Sequence, residues 1–320
     1  MFSREAFATK SKLAADHSPD SLKYIPAILN EFLLLISSSH NEEDWFTNVK
    51  TQLDVVAEFF YPSQKLPYSV SNLFNFIEKK SQELAEDLLQ KSFDSFTATT
   101  RLCDFVREEL IDRYLVLTAP LICSQLQKRI QSLTKIMIYG FNDSILEAIL
   151  SSENKNLQIV VIDSAPEKEA SRAARLLKDA GFDVEYSILN CANHIFNDLS
   201  LLLLAAESAF IDGALISNAG ALNLALLAKS HSVPIAAICE TIRFTDSVSA
   251  DFTDNLMKTQ ASEKNWFTNI GKKSEDNCDL EIIQAQWDLI NSELIDCLVT
   301  EMGPIPPSSV PVIIKEYAAQ

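Results

Sequence analysis

The chain has 320 residues, 47% of them apolar and 22% charged, with a formal net charge of −17 and a sequence pI near 4.7. That balance belongs to a folded globular protein long enough for two ordinary domains. Its acidity excludes direct nucleic-acid binding and docking on anionic membranes as first readings, and no apolar run approaches the ~20 residues that span a bilayer.

Met1–Leu13 carries Arg4, Lys10 and Lys12 among small and apolar residues, but Glu5 and the lack of a cleavage-like segment favour a first helix over a targeting peptide. Ile25, Ile28, Phe32, Leu35 and Ile36 then recur at helical spacing. So do Leu53, Val56, Phe59 and Phe60, then Leu73, Phe76 and Ile77 running on to Leu84, Leu88 and Leu89, then Leu102, Phe105, Val106, Leu110 and Tyr114. Pro19, Pro62 and Pro67 punctuate the breaks. All six glycines lie at Gly140 or later, and a glycine-free stretch suits packed helices rather than tight turns or phosphate loops. Residues 1–130 are read as a helical domain of five or six helices.

From Ser132 the pattern changes, and residues 131–320 are read as a second domain. Short apolar runs at Ile136–Gly140, Leu157–Ile162, Val184–Leu189, Ala209–Ile216 and Pro234–Cys239 predict strands. Ser144–Leu150, Glu167–Ala180, Asn197–Ala206 and Ala221–His231 carry helical patterns between them. Strands alternating with helices predict a doubly wound, mostly parallel, Rossmann-like sheet, so the fold class is α/β with an N-terminal helical bundle. Val248–Asp279 is polar and without period, which predicts a long loop. Leu294–Val299 is strand-like, the four prolines of Gly303–Pro311 impose an irregular extended segment, and Val312–Tyr317 fits either a last strand or a short helix.

The cysteines Cys103, Cys123, Cys191, Cys239, Cys278 and Cys297 form no CxxC pair, and the four histidines do not cluster with them. No metal and no cofactor is expected, and reduced thiols point to the cytoplasm. In an open parallel sheet a ligand binds beyond the carboxyl ends of the strands. Those ends carry Gly140, Asp163, Ala165, Asn218 and Glu240. The first crossover has only Gly140 where dinucleotide folds have GxGxxG, so Asp163 reads as a helix cap or ion-pair partner before a ribose ligand. Asn218–Gly220 reads equally as an anion seat at a helix start or as a plain turn. Glu240 with Arg243 reads as a structural salt bridge before an acid–base pair. Cys239 reads as core, and His231 as a helix C-terminal residue.

Several strings resemble one superfamily: IMIYGFN at Ile136–Asn142, IVVIDSAPEKE at Ile159–Glu169, LALLAKSHSVPI at Leu224–Ile235, CETIRF at Cys239–Phe244 and LIDCLVTEMGPIPPSSVPVI at Leu294–Ile313. The chain resembles the superfamily of the alpha, beta and delta subunits of translation initiation factor 2B, which also contains isomerases of methylthioribose 1-phosphate and ribose 1,5-bisphosphate. CETIRF and the TEMGPIPPSSVPVI ending are most similar to the delta branch. The likeness implies an N-terminal helical domain before the α/β domain. It also implies a non-catalytic regulatory subunit in a guanine-nucleotide exchange complex with alpha-, beta-, gamma- and epsilon-like subunits. In that complex initiation factor 2 is the substrate and its phosphorylated alpha subunit is sensed. Delta subunits carry a basic N-terminal extension, and this chain begins in the helical domain.

The resemblance also implies a vestigial pocket. The isomerases have a cysteine where Gly140 stands and an arginine where Ala165 stands. They have an aspartate about five residues before an Asn-Gly pair, and counting back from Asn218 reaches Gly213, with Asp212 one position off and on the other face of a strand. Their loop before the next helix is longer by about six residues, in the region that holds phosphate at a helix start. The alternatives are a sugar-phosphate isomerase using Asp163, Asp212 and Glu240, or a homo-oligomeric sugar-nucleotide sensor.

Overall fold

Ile25, Ile28, Leu29, Phe32, Leu33 and Ile36 form one buried stripe of α2 (Ser21–Ser38), because three- and four-residue steps return to the same helix face. The structure is a computed structural model that describes residues 2–15, 21–38, 44–62, 66–90, 94–140, 143–164, 170–250 and 287–319. The predicted Val248–Asp279 loop therefore lies almost wholly outside the described residues, as does Ala165.

The chain divides into two compact units, Met1–Leu121 and Ile122–Gln320. The first holds α1 (Arg4–Ala15), α2, α3 (Trp45–Phe60), α4 (Tyr68–Leu89) and α5 (Ser95–Asp104). Asp44 and Asp94 cap α3 and α5 by accepting from the amides of Thr47 at 3.2 Å and Thr97 at 2.9 Å. Val49, Leu53, Val56 and Phe60 turn inward on α3, and Val70, Leu73, Phe74, Ile77 and Leu84 on α4. Glu31 is buried in α2, where it accepts from the amide of Ser3 at 2.9 Å and its hydroxyl at 2.6 Å. After α5 the chain winds as a π-helix over Phe105–Val116 before α6 (Leu117–Ile130). Pro120 lies inside α6 and lacks the N–H that an α-helix would aim at the carbonyl of Val116.

The second unit is a ten-stranded sheet with a main path of seven strands. Its strands are β1 (Lys135–Tyr139), β2 (Gln158–Asp163), β3 (Asp183–Ile188), β4 (Leu201–Phe210), β5 (Leu215–Asn218), β6 (Ile235–Ile238), β7 (Phe244–Thr245), β8 (Trp287–Ile290), β9 (Cys297–Thr300) and β10 (Gly303–Ile305). The order β10-β9-β6-β4-β1-β2-β3 is parallel except for β10, which is antiparallel to β9. The helices are α7 (Asp143–Leu150), α8 (Ala170–Asp179), α9 (Ala221–Ser230) and α10 (Val310–Ala319). Met137, Val160, Leu202 and Leu204 face one core with α9 and α10. Ile136, Ile138, Ile159, Val161, Leu201 and Leu203 face the other, with the end of α6, α7 and α8. Both faces are covered, as in a doubly wound sheet.

Two elements differ from the sequence reading. Asn197–Ala206 is not a helix, because Leu201–Phe210 is the central strand β4. Leucine and alanine favour helices, but a strand buried on both faces reads as one apolar run whose period decides nothing. Ala209–Ile216 is not one strand either: β4 ends at Phe210 and turns back into the antiparallel β5 through Gly213, which has a φ of +79°. The undecided last element is a helix, α10.

β4 serves two layers. Leu201–Leu204 pair with β1 and Leu202–Ala205 with β6, whereas Ala206, Ser208 and Ala209 pair with β5, and Ala209 and Phe210 with β7. The register shifts between Ala206 and Ser208, which places Glu207 at the irregularity. β8 pairs antiparallel with β5 and completes the side layer.

Candidate functional site

The strand order reverses between β1 and β4, so the ligand crevice of such a sheet opens at their carboxyl ends. Gly140 follows β1 with a φ of +82°. A Cβ there would stand 3.3 Å from the Cβ of Ala205 and 3.6 Å from Nδ2 of Asn218. The Tyr139 hydroxyl donates to the carbonyl of Ala219. It lies, with Leu189, within 2.6 Å of where a Cβ on Gly220 would be. Among the described residues, Ala205 and Asn218 thus pack around Gly140, and Tyr139 and Leu189 around Gly220; Gly140 carries no side chain to act as a nucleophile.

The other expected residues separate. Asp163 is buried at the end of β2, where it accepts from the amide of Ser164 at 2.9 Å and the hydroxyl of Tyr186 at 2.8 Å. Gly213 sits at the opposite end of β5 from Asn218, roughly 16 Å away along an extended chain. A Cβ on Gly213 would lie 2.8 Å from the carbonyl of Pro307. Asp212 closes its own turn on the amide of Ala214 at 3.1 Å and holds the amide of Ser249 at 3.2 Å.

Glu240 belongs to a charged cluster. Its Oε2 accepts from Nε of Arg243 at 2.6 Å, and the Arg243 Nη1 donates to Glu207 at 2.7 Å. Arg243 and Glu240 are buried, and Glu207 is 19% exposed at its side chain. Cys239 adjoins the cluster, and burial, then the charge of Glu240, pushes its thiol well above the ordinary range, so it is no ready nucleophile. Glu207 is the residue the sequence reading missed. The chain turns back at Asp212–Gly213, and five residues before Asp212 stands Glu207. β5 lies between that turn and α9. An Asp-Gly pair after an apolar run was the available signal.

At the start of α9 the amides of Gly220 and Leu222 donate to Oδ2 of Asp288 at 2.8 and 3.0 Å. An anion at this helix end would have to displace that carboxylate. His231 ends α9 and stacks on Phe196 with ring centroids 5.5 Å apart. Among the described residues no group of three or more His, Cys, Asp and Glu side chains is arranged to hold a metal ion, and no helix is long and apolar enough to cross a membrane.

Residues 25–307 match the family described as the initiation factor 2 subunit family. The chain is 27% identical over 274 residues to translation initiation factor eIF2B subunit delta of Dictyostelium discoideum, covering 81% of this chain and 42% of that protein. It is 23% identical over 192 residues to a ribose 1,5-bisphosphate isomerase of Archaeoglobus fulgidus, covering 59% of each. The chain spans about half the length of these relatives. The crystal structure of eIF2B delta from Chaetomium thermophilum is similar in fold, with a TM-score of 0.70 at 18% identity, covering 94% of this chain and 98% of that one.

Proposed function

The chain belongs to the initiation factor 2 subunit family, and from that membership we propose that it is a non-catalytic, delta-like regulatory and scaffold subunit of the factor 2B guanine-nucleotide exchange complex. It contributes to binding initiation factor 2 and to sensing that factor's phosphorylated alpha subunit, working in the cytoplasm beside alpha-, beta-, gamma- and epsilon-like subunits. The helices within residues 15–120 face the substrate, and the face of the α/β domain, with the PIPPSSVPVI segment, is the assembly surface.

One observation carries the non-catalytic part. Gly140 stands where the resemblance puts the isomerases' cysteine; it carries no side chain to act as a nucleophile, and a Cβ there would already stand 3.3 Å from Ala205. A second reading, a sugar-phosphate isomerase, draws on Glu207, a carboxylate five residues before the Asp212–Gly213 turn. That carboxylate is neutralised by Arg243 at 2.7 Å, which leaves it poorly suited to move a substrate proton.

The test is affinity capture of the tagged chain from its native cytosol with mass spectrometry of what accompanies it. Recovery of beta-, gamma- and epsilon-like subunits with initiation factor 2 is the expected result. Recovery of the chain alone as a homo-oligomer that turns over ribose 1,5-bisphosphate would overturn it.

A further inference from the structure

The string Cys239–Phe244 has a physical role that family likeness does not supply. Its polar side chains are engaged inside the protein. Thr241 donates its amide, at 3.1 Å, and its hydroxyl to the carboxylate of Glu301, in the turn between β9 and β10. Arg243 is 2% exposed and bridges Glu240 and Glu207, while its carbonyl accepts from the hydroxyl of Ser208 at 2.7 Å.

Glu207 and Ser208 lie where the register of β4 shifts, the point at which this strand leaves the main layer and enters the side layer. Residues 240–243 link β6, in the main layer, to β7, in the side layer. One buried guanidinium therefore ties the connecting segment, at Glu240, to the pivot between the layers, at Glu207. A buried ion triad of this kind holds while all its partners are present, and loss of one strands an uncompensated charge.

The side layer is held to the main sheet by short pairings. β5 meets β4 through three register pairs, β7 through two, and β8 is attached through β5. Short strands with few cross-strand bonds belong to the easily opened part of a fold.

We propose that the Glu207–Arg243–Glu240 triad is the joint that fastens the side layer of β5, β7 and β8 to the main sheet, and that breaking it lets this layer open as a unit while β1, β2 and β3 stay closed. This holds whatever complex the chain enters.

Hydrogen exchange of the full-length chain, read by mass spectrometry, tests the joint in wild type and in Arg243→Met. The expected result is exchange faster by about ten-fold or more in β5, β7 and β8, with β1, β2 and β3 unchanged. Equal acceleration in both layers, or none, overturns the proposal. Where Arg243→Met does not fold, Glu207→Gln keeps a hydrogen-bond acceptor, removes one charge, and is judged by the same pattern.

Discussion

Asp288 caps α9 from another strand: its carboxylate takes the amide of Gly220 although 68 residues separate the two. A carboxylate at a helix N-terminus satisfies free amides and faces the positive end of the helix dipole. Asp288→Ala is expected to cost about 1–2 kcal/mol and Asp288→Asn less, because asparagine keeps an acceptor and loses the charge. Urea unfolding midpoints measure both. Equal midpoints for wild type and the alanine variant would show that the cap contributes nothing.

Restoring a side chain at Gly140 should not restore chemistry. Alanine or cysteine there must hold the φ of +82° and sit 3.3 Å from Ala205. Gly140→Ala is expected to lower stability by about 1–2 kcal/mol, from left-handed backbone strain and the close contact together. Adding Ala205→Gly relieves the contact and leaves the strain, so the double variant should recover only part of the loss. Gly140→Cys should show no turnover of ribose 1,5-bisphosphate.

Tyr186 should titrate late. Desolvation, then the hydrogen bond to Asp163 and that group's charge, push its phenol from 10.0 up to about 12. The folded protein thus keeps a proton that the unfolded chain releases first. This contribution to stability is complete below pH ~10 and is lost as pH rises from about 10 to about 12. Phenolate absorbance, wild type minus Tyr186→Phe, isolates the group. Asp163→Asn should bring it back toward its ordinary value.

Adjacent leucines of β4 should be equally intolerant. Leu202 and Leu203 are both 0% exposed and point into opposite cores. Each alanine substitution is expected to cost about 2–5 kcal/mol. Were this segment an amphipathic helix, neighbours would differ, with one face tolerant. Thermal or urea unfolding of the two single variants decides it.

Local signals carried much of the fold. The run Ala221–His231 predicted α9 to within a residue of its end, because a helix start, an apolar face and a following turn all lie within one short window. The segment Leu201–Ala206 misled, because a strand buried on both sides loses the alternation that identifies strands. Glu240 and Arg243 were readable as a pair three residues apart. Their third partner, Glu207, required recognising Asp212–Gly213 as the turn, since a displaced turn moves every residue counted from it. Asp288 was invisible from the local sequence of α9, because its place there is set by the pairing of β8 with β5.

The double membership of β4 also sets an order of events during synthesis. Its hydrogen-bonded neighbours are drawn from Ile136 near one end of the unit to Thr245 well beyond it. While the ribosome still holds the segment after β5, the central strand has partners on one side only. The sheet must therefore close late, and through contacts distant along the chain, which makes its folding slow beside that of a helical bundle. Until Ile238 has emerged, the nascent protein exposes a leucine-rich strand with one unpaired edge, the kind of edge to which another chain can add.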